Sequence, residues 1–460
     1  MRSNGTPVRL LMAVTMSLVC TSVLMFVQGQ TPSQSVQSQD KLAVRLKAKL
    51  PDYKGPSRFR GRKALITFSP DGQLVAMSGR KGTITVWDTD TGTLKATLTA
   101  GKDRISGFSF SRDGRVVATR NYVDKSVTLW DAATWSPKST LPGRKKNLET
   151  KLKSGLSFEE EFGPVPFSPD GQRVLSERED DLVAISEVAI GQEVMTLNHD
   201  TRDSGAKDVL KAMFLAGSRH FLALQTGYSS DGRWIFTING DKSAKIWDAS
   251  TAQLKSNISN SERIYRAAFS PGGSTLLTVE QQGAMKIWDA ESGQLKGTVA
   301  PKGFLENWMK GFEFSPDGRA VATFYFGDTR LWNVKNGELL FKLPNSQTTD
   351  ATFSPDSRWL ATASTDKLSA GKIWNVETGE LKLSLASTGD RTVSVIFNPS
   401  GTLLATTNEK GVQLWDSQTG ELLATLSEAR YPVAFSQNGR TMATGARNDT
   451  ALLWEVEGTH

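Results

Sequence analysis

The stretch FSPDGQLVAMSGRKGTITVWDTDTGTLK, residues 68–95, decides the fold. It opens on an aromatic residue and a Pro-Asp-Gly turn, then passes through two short apolar runs. It reaches Trp87-Asp88 and turns again at Thr91-Gly92. Nearly the same sequence recurs eight more times, with openings at Phe110, Phe167, Tyr228, Phe269, Phe314, Phe353, Phe397 and Phe435. The Trp positions are Trp87, Trp130, Trp247, Trp288, Trp332, Trp374, Trp415 and Trp454, and the third unit has Ser186-Glu187 where Trp-Asp is due. From Trp247 onward the spacing is 41, 44, 42, 41 and 39 residues. A period of about 40–45 is that of a propeller blade, whereas about 34 would indicate helical repeats.

Each unit reads as a set of antiparallel strands. Asp-Gly and Asn-Gly tolerate positive φ and close tight turns. Ile84-Thr85-Val86-Trp87 and Ala244-Lys245-Ile246-Trp247 are short and rich in β-branched and aromatic residues, as strands are. Leu276-Leu277-Thr278-Val279 is apolar on both faces, which suits a sheet clamped between two neighbours. Sustained 3.6-residue periodicity is missing from the repeats, so the chain is expected to be all-β.

The F-S-P-D-G opening, the W-D ending and the following T-G-x-L-K resemble WD-repeat β-propellers, over residues 41–460. The resemblance implies four-stranded blades in a closed ring, with strands a to d running from the centre to the rim. Members of the family often carry Gly-His before strand a, hydrogen-bonded with Ser/Thr, Asp and Trp. This chain has only His199, His220 and His460, so that set is expected to be incomplete in every unit, although Asp124, Asp241, Asp366 and Asp449 stand in b–c turns.

Residues 1–29 read as a secretory signal: Arg2 and Arg9 precede an uncharged run, and Val27-Gln28-Gly29 offers a cleavage site. An uncleaved membrane anchor is the alternative. Cys20, the single cysteine, falls inside this segment, so the mature chain has no disulfide or thiolate site. Residues 30–40 are a polar linker. Residues 42–50 are rich in helix formers but also resemble the strand-d segments ending at Leu98 and Leu426. The last unit stops after strand c, at Trp454-Glu455-Val456-Glu457, and an open ring would leave an unpaired edge. Residues 42–50 are therefore expected to complete that blade. Nine blades result, with eight or seven as alternatives if a unit is misread; the third, with strands expected near Gln172, Leu182 and Glu193, is the weakest.

Two intervals exceed the period, and the extra residues fall within 143–162 and 199–221, between a strand d and the next strand a. Loops this long usually have a role, so their common face is the expected binding surface. Arg144, Lys145, Lys146 and Phe158 in the first insertion, and Phe304 and Trp308 in another connection, are its candidate contacts. Aromatic residues are enriched where interfaces draw their energy. The blade Trp residues are expected in the core.

Net charge is +7, a mild excess with acidic runs beside the basic ones, which argues against a nucleic-acid face. Scattered histidines exclude an obvious transition-metal site, and His199 and His220 read as loop residues without partners. Neither a phosphate loop nor a Gly-x-Ser-x-Gly elbow is present, and no cofactor is expected. The sequence thus points to an exported, monomeric, non-catalytic scaffold for a protein or peptide partner. A hydrolase or lactonase-like enzyme with an acidic site at the central channel is the alternative, its candidates being Asp103, Arg104, Glu262, Arg263, Asp390 and Arg391.

Overall fold

The computed structural model describes residues 42–50, 66–79, 83–99, 105–143, 164–178, 182–199, 225–238, 242–260, 262–280, 284–299, 309–325, 327–346, 348–364, 369–387, 389–446 and 450–457. Among them are thirty-five strands and no helix. Strand β1 is Ala43–Leu50. Blade 1 holds β2 (Ile66–Phe68), β3 (Leu74–Ser78), β4 (Thr83–Asp88) and β5 (Leu94–Thr99). Blade 2 holds β6 (Ile105–Phe110), β7 (Val116–Asn121), β8 (Val127–Asp131) and β9 (Pro137–Leu141). Blade 3 holds β10 (Arg173–Glu177), β11 (Leu182–Glu187) and β12 (Gln192–Asn198), with Phe167 bridging Val174 in place of a full inner strand. Blade 4 is β13 (Gln225–Tyr228), β14 (Trp234–Ile238), β15 (Ser243–Asp248) and β16 (Leu254–Ser259). Blade 5 is β17 (Ile264–Phe269), β18 (Thr275–Glu280), β19 (Met285–Asp289) and β20 (Leu295–Val299).

Blade 6 follows with β21 (Met309–Phe314), β22 (Ala320–Tyr325), β23 (Gly327–Asn333) and β24 (Leu339–Ser346). Blade 7 has β25 (Thr348–Phe353), β26 (Trp359–Ser364), β27 (Gly371–Asn375) and β28 (Leu381–Leu385). Blade 8 has β29 (Ser394–Phe397), β30 (Leu403–Thr407), β31 (Val412–Asp416) and β32 (Leu422–Leu426). Blade 9 joins β33 (Ala429–Phe435), β34 (Thr441–Ala446) and β35 (Ala451–Glu457) to β1, which pairs antiparallel with β35 from Ala43↔Glu457 to Leu50↔Ala451. The fold is a nine-bladed β-propeller, and its last blade takes its outer strand from the start of the chain.

The a–b turns explain the F-S-P-D-G signature. Ser69 Oγ accepts the Leu74 N–H at 2.9 Å and donates to Asp71 Oδ1, which in turn accepts the Gln73 N–H at 3.0 Å. Gly72 lies at φ +73°, a conformation that glycine adopts without steric cost. The same Ser–acid clasp recurs at Ser111–Asp113, Ser315–Asp317 and Ser354–Asp356. The W-D ending closes the c–d turn likewise. Asp88 Oδ1 accepts the Thr91 N–H at 2.9 Å, and bonds of this kind hold its carboxyl down to about 2.

Packing then joins the blades. Nine apolar clusters each span one blade and the next, and the ninth closes the ring by packing Leu50, Ala443, Ala451 and Leu453 of blade 9 on Val75, Met77 and Trp87 of blade 1. Every repeat Trp is buried, between 0 and 8 % exposed, and packs on the preceding blade, as Trp130 does on Ile84 and Val86. Its ring needs a hydrogen-bond acceptor there. Seven of them donate from Nε1 to a strand-b threonine at 2.8–3.1 Å: Trp130 to Thr119, Trp247 to Thr237, Trp288 to Thr278, Trp332 to Thr323, Trp374 to Thr362, Trp415 to Thr406 and Trp454 to Thr444. Strand d buries one aliphatic residue near its end in every blade; Leu98 and Leu426 are examples, and Leu50 fills that place in blade 9.

Candidate functional site

The connections between strand d and the next strand a meet the b–c turns at one end of the molecule. His199, directly after β12 and at the root of the second insertion, is fully buried there. Its Nδ1 lies 2.7 Å from Thr237 Oγ1, its Nε2 lies 3.3 Å from Ser243 Oγ, and its carbonyl accepts from Lys245 Nζ at 2.7 Å. Thr237 Oγ1 also accepts the Trp247 indole N–H at 2.9 Å. This corrects one expectation, since His199 is no partnerless loop residue, and it assembles the His–Thr–Trp part of the hydrogen-bonded set in blade 4. The insertion after His199 hid the match, because it removes the histidine from its usual distance to strand a. Asp124 bonds the N–H and hydroxyl of Ser126 and so shapes its own b–c turn. Asp241, Asp366 and Asp449 lie outside the described residues, as do Asp103, Arg104 and His220.

The contacts proposed from sequence, Arg144, Lys145, Lys146, Phe158, Phe304 and Trp308, also lie outside the described residues, with nearly all of the two insertions. Of the channel candidates, Glu262 and Arg263 are half-buried just ahead of β17. Asp390 pairs with Lys410 of its own blade's b–c turn at 3.3 Å, which ties it to the loop end, and Arg391 is exposed.

The acids that the inner strands do present are different ones. Glu313 on β21 accepts the Phe353 N–H at 3.4 Å and the Thr352 hydroxyl at 3.3 Å, both from β25 of the next blade. Burial pushes its carboxyl up to about 7, against those two hydrogen bonds and with the help of the Asp350 charge. Asp350 on β25 accepts the Ser394 hydroxyl at 2.7 Å and the Val395 N–H at 3.2 Å from β29. The Tyr431 hydroxyl on β33 is raised to about 12 by partial burial and then by Asp350. Three neighbouring inner strands are thus latched by carboxylates, and one of these titrates near neutrality. Sequence reading missed both acids because they lie inside the strands, where the repeat varies and no turn marks them.

The inner strands and a–b turns of blades 9, 1 and 2, with Pro164 of blade 3, line a cavity of about 560 Å³, walled by Phe68, Phe108, Phe110 and Phe435 among others. Elsewhere the described residues contain no group of three His, Cys, Asp or Glu that would hold a metal ion.

Fold and repeat define a propeller built from WD-type units, and comparison with known proteins agrees. The model of the WD domain, G-beta repeat, matches residues 337–368, and that of the Cytochrome D1 heme domain matches residues 57–155. A WD repeat-containing protein, VIP3 of Arabidopsis thaliana, is 28 % identical over 125 residues, covering 27 % of this chain and 39 % of that protein. The match therefore spans well under half of that relative. The crystal structure of the computationally designed protein Ika8 covers 86 % of this chain and 98 % of its own, with a TM-score of 0.52 and 17 % identity, and bears on the fold alone. Nine units folding into nine blades, with the WD domain model matching at residues 337–368, support a WD-repeat β-propeller.

Proposed function

We propose that the chain is an exported interaction scaffold that holds a protein or peptide partner on the face bearing the insertions at 143–162 and 199–221. The observation that carries this reading is the rigid root of that face: His199, buried and bonded to Thr237, Ser243 and Lys245, anchors an insertion on a closed ring. A preorganised platform spends less free energy on ordering when a partner docks. Arg144, Lys145, Lys146, Phe158, Phe304 and Trp308 are the contacts to test. The wild-type chain and one lacking residues 144–162 are used to capture partners from the native envelope or medium. Expected is a partner retained by the first and lost by the second, with both melting at the same temperature. Identical capture by the two chains refutes the reading.

A second reading, a channel enzyme, draws on Glu313 and Asp350 and on the match to the Cytochrome D1 heme domain. The described residues of the cavity on blades 9, 1 and 2 do not fit a haem. Among the described residues lining the channel cavity there is no His, Cys or Met to bind its iron and no Lys or Arg for its carboxylates. A hydrolytic site remains, with a carboxyl near neutrality suited to proton transfer. Lactones, esters and glycans screened against wild type, Glu313→Gln and Asp350→Asn decide it. Turnover abolished by either change supports an enzyme, and turnover absent from wild type removes it.

A further inference from the structure

The packing between neighbouring blades differs in kind at one seam. In eight blades a buried Trp reaches back onto the preceding blade, but blade 3 has Ser186 in that position. The strand-b residue that takes the place of Thr119, two positions beyond the partner of the Trp, is Ser176. Both serines are at most 2 % exposed, and neither hydroxyl has a hydrogen-bond partner among the described residues. Ser139 on β9, against which the Gly191 turn of blade 3 leans, has a buried hydroxyl without a partner as well. Three orphaned hydroxyls thus gather where blade 3 meets blade 2, and each is a desolvation cost that folding leaves uncompensated. Pro164 and Pro166 precede Phe167 on the inner side of blade 3, and proline has no N–H to give to a ladder.

The other side of blade 3 is intact. Trp247 of blade 4 packs on Leu175 and Ile185, and Arg173 donates to the Ala249 carbonyl at 2.9 Å. The backbone does not make good the loss at the first side. Two residues join Leu426 of blade 8 to Ala429 of blade 9, whereas the connection from blade 2 to blade 3 holds the insertion at 143–162. A tether of that length leaves the blades free to part. The seam of blades 9 and 1, where the ends of the ring meet, keeps its fully buried Trp87 packed on Leu50 and Leu453. We infer that the ring opens at the seam between blades 2 and 3, and not where its ends meet, with blade 3 moving together with blade 4. Gly143 on blade 2 and Pro164 on blade 3 bound the insertion on either side of this seam, so opening changes the shape of the loop face. The inference holds whether or not that face takes a partner.

Thiol labelling tests it on the full chain, with Cys20→Ser so that each introduced cysteine is the only one. Ser186→Cys and Ala118→Cys place thiols in the seam of blades 2 and 3. Ala451→Cys in the seam of blades 9 and 1, and Ala322→Cys in that of blades 6 and 7, are equally buried controls. A maleimide reaches a buried thiol only when its surroundings open. Both seam thiols are expected to react at least about a hundredfold faster than both controls, the factor that a missing buried Trp is worth. The circular dichroism spectrum should stay that of wild type in all four. Ser186→Trp with Ser176→Thr rebuilds the missing pair and is expected to slow labelling at Ala118→Cys by about tenfold or more. The comparison of the four thiols decides the matter whether or not that pair folds. Equal rates at all four positions, or fastest labelling at Ala451→Cys, would overturn the inference. So would a folded chain carrying Ser186→Trp and Ser176→Thr in which Ala118→Cys labels at an unchanged rate.

Discussion

Glu313 shows how one residue ties the propeller's stability to pH. Folded, its carboxyl sits at about 7, above the ordinary value of 4.5, because burial between β21 and β25 disfavours the charge. The folded state therefore holds a proton more tightly than the unfolded state does. Stability from this group is complete below pH 4.5 and declines as pH rises to about 7, by roughly 3 kcal/mol at most. The depressed acids at Asp88, Asp248 and Asp289, each near 2, act at the opposite end of the scale and do not touch this window. Glu313→Gln copies the protonated form and still accepts from the Phe353 N–H. Urea unfolding at pH 5 and pH 8 is expected to show wild type weaker at pH 8 and the variant nearly level. A wild type equally stable at both values, or a variant as steep as wild type, would show that the carboxyl stays solvated.

At the scale of the element, β1 carries the greatest consequence. Leu42 and its successors look helical by composition, yet Leu50 fills the buried strand-d position that Leu98 and Leu426 fill elsewhere. Tertiary demand, an unpaired β35, overrides local propensity. A chain beginning at Pro51 loses every hydrogen bond from Ala43↔Glu457 to Leu50↔Ala451 and the Leu50 side chain from the closing cluster. Truncating a buried leucine alone typically costs about 2–5 kcal/mol. That chain is expected to melt several degrees lower than one beginning at Gln30 and to aggregate through β35; equal melting would make β1 ornamental. This element was legible in the sequence because the defect at Glu457 and the surplus at Ala43 are complementary. The nine blades were legible for a similar reason, since Asp-Gly turns and Trp positions repeat even where blade 3 has Ser186. The inner strands were not: Glu313 and Asp350 stand at positions that vary from unit to unit, and only ring closure brings strands some forty residues apart into one channel. His199 escaped for a third reason, an insertion that broke its spacing.

The whole molecule is a circle cut between the third and fourth strands of its last blade, and that makes its connectivity testable. Because β1 runs antiparallel to β35 with Ala43 opposite Glu457, the two chain ends of blade 9 lie side by side, as the arms of a c–d turn do in the other blades. Gly92 of blade 1 leans on the same strand so closely that a Cβ there would come within 2.3 Å of the Ala48 Cβ, so β1 is gripped from both sides. Nothing in the packing requires the covalent break to fall at this point. A permuted chain that joins Glu457 to Ala43 through a short Asn-Gly turn, and opens within residues 144–162, would turn blade 9 into an ordinary blade. It is expected to fold, with a circular dichroism spectrum matching that of wild type. Its melting temperature should equal or exceed that of wild type, since the link lowers the entropy of holding β1 in place. Opening the permuted chain within residues 80–82 instead, between β3 and β4 of blade 1, separates two neighbouring strands in the middle of a sheet and is expected to destabilise it. If both permuted chains failed alike while wild type folded, closure would depend on the native order of synthesis rather than on complementary edges, and the equivalence of the nine blades would be lost.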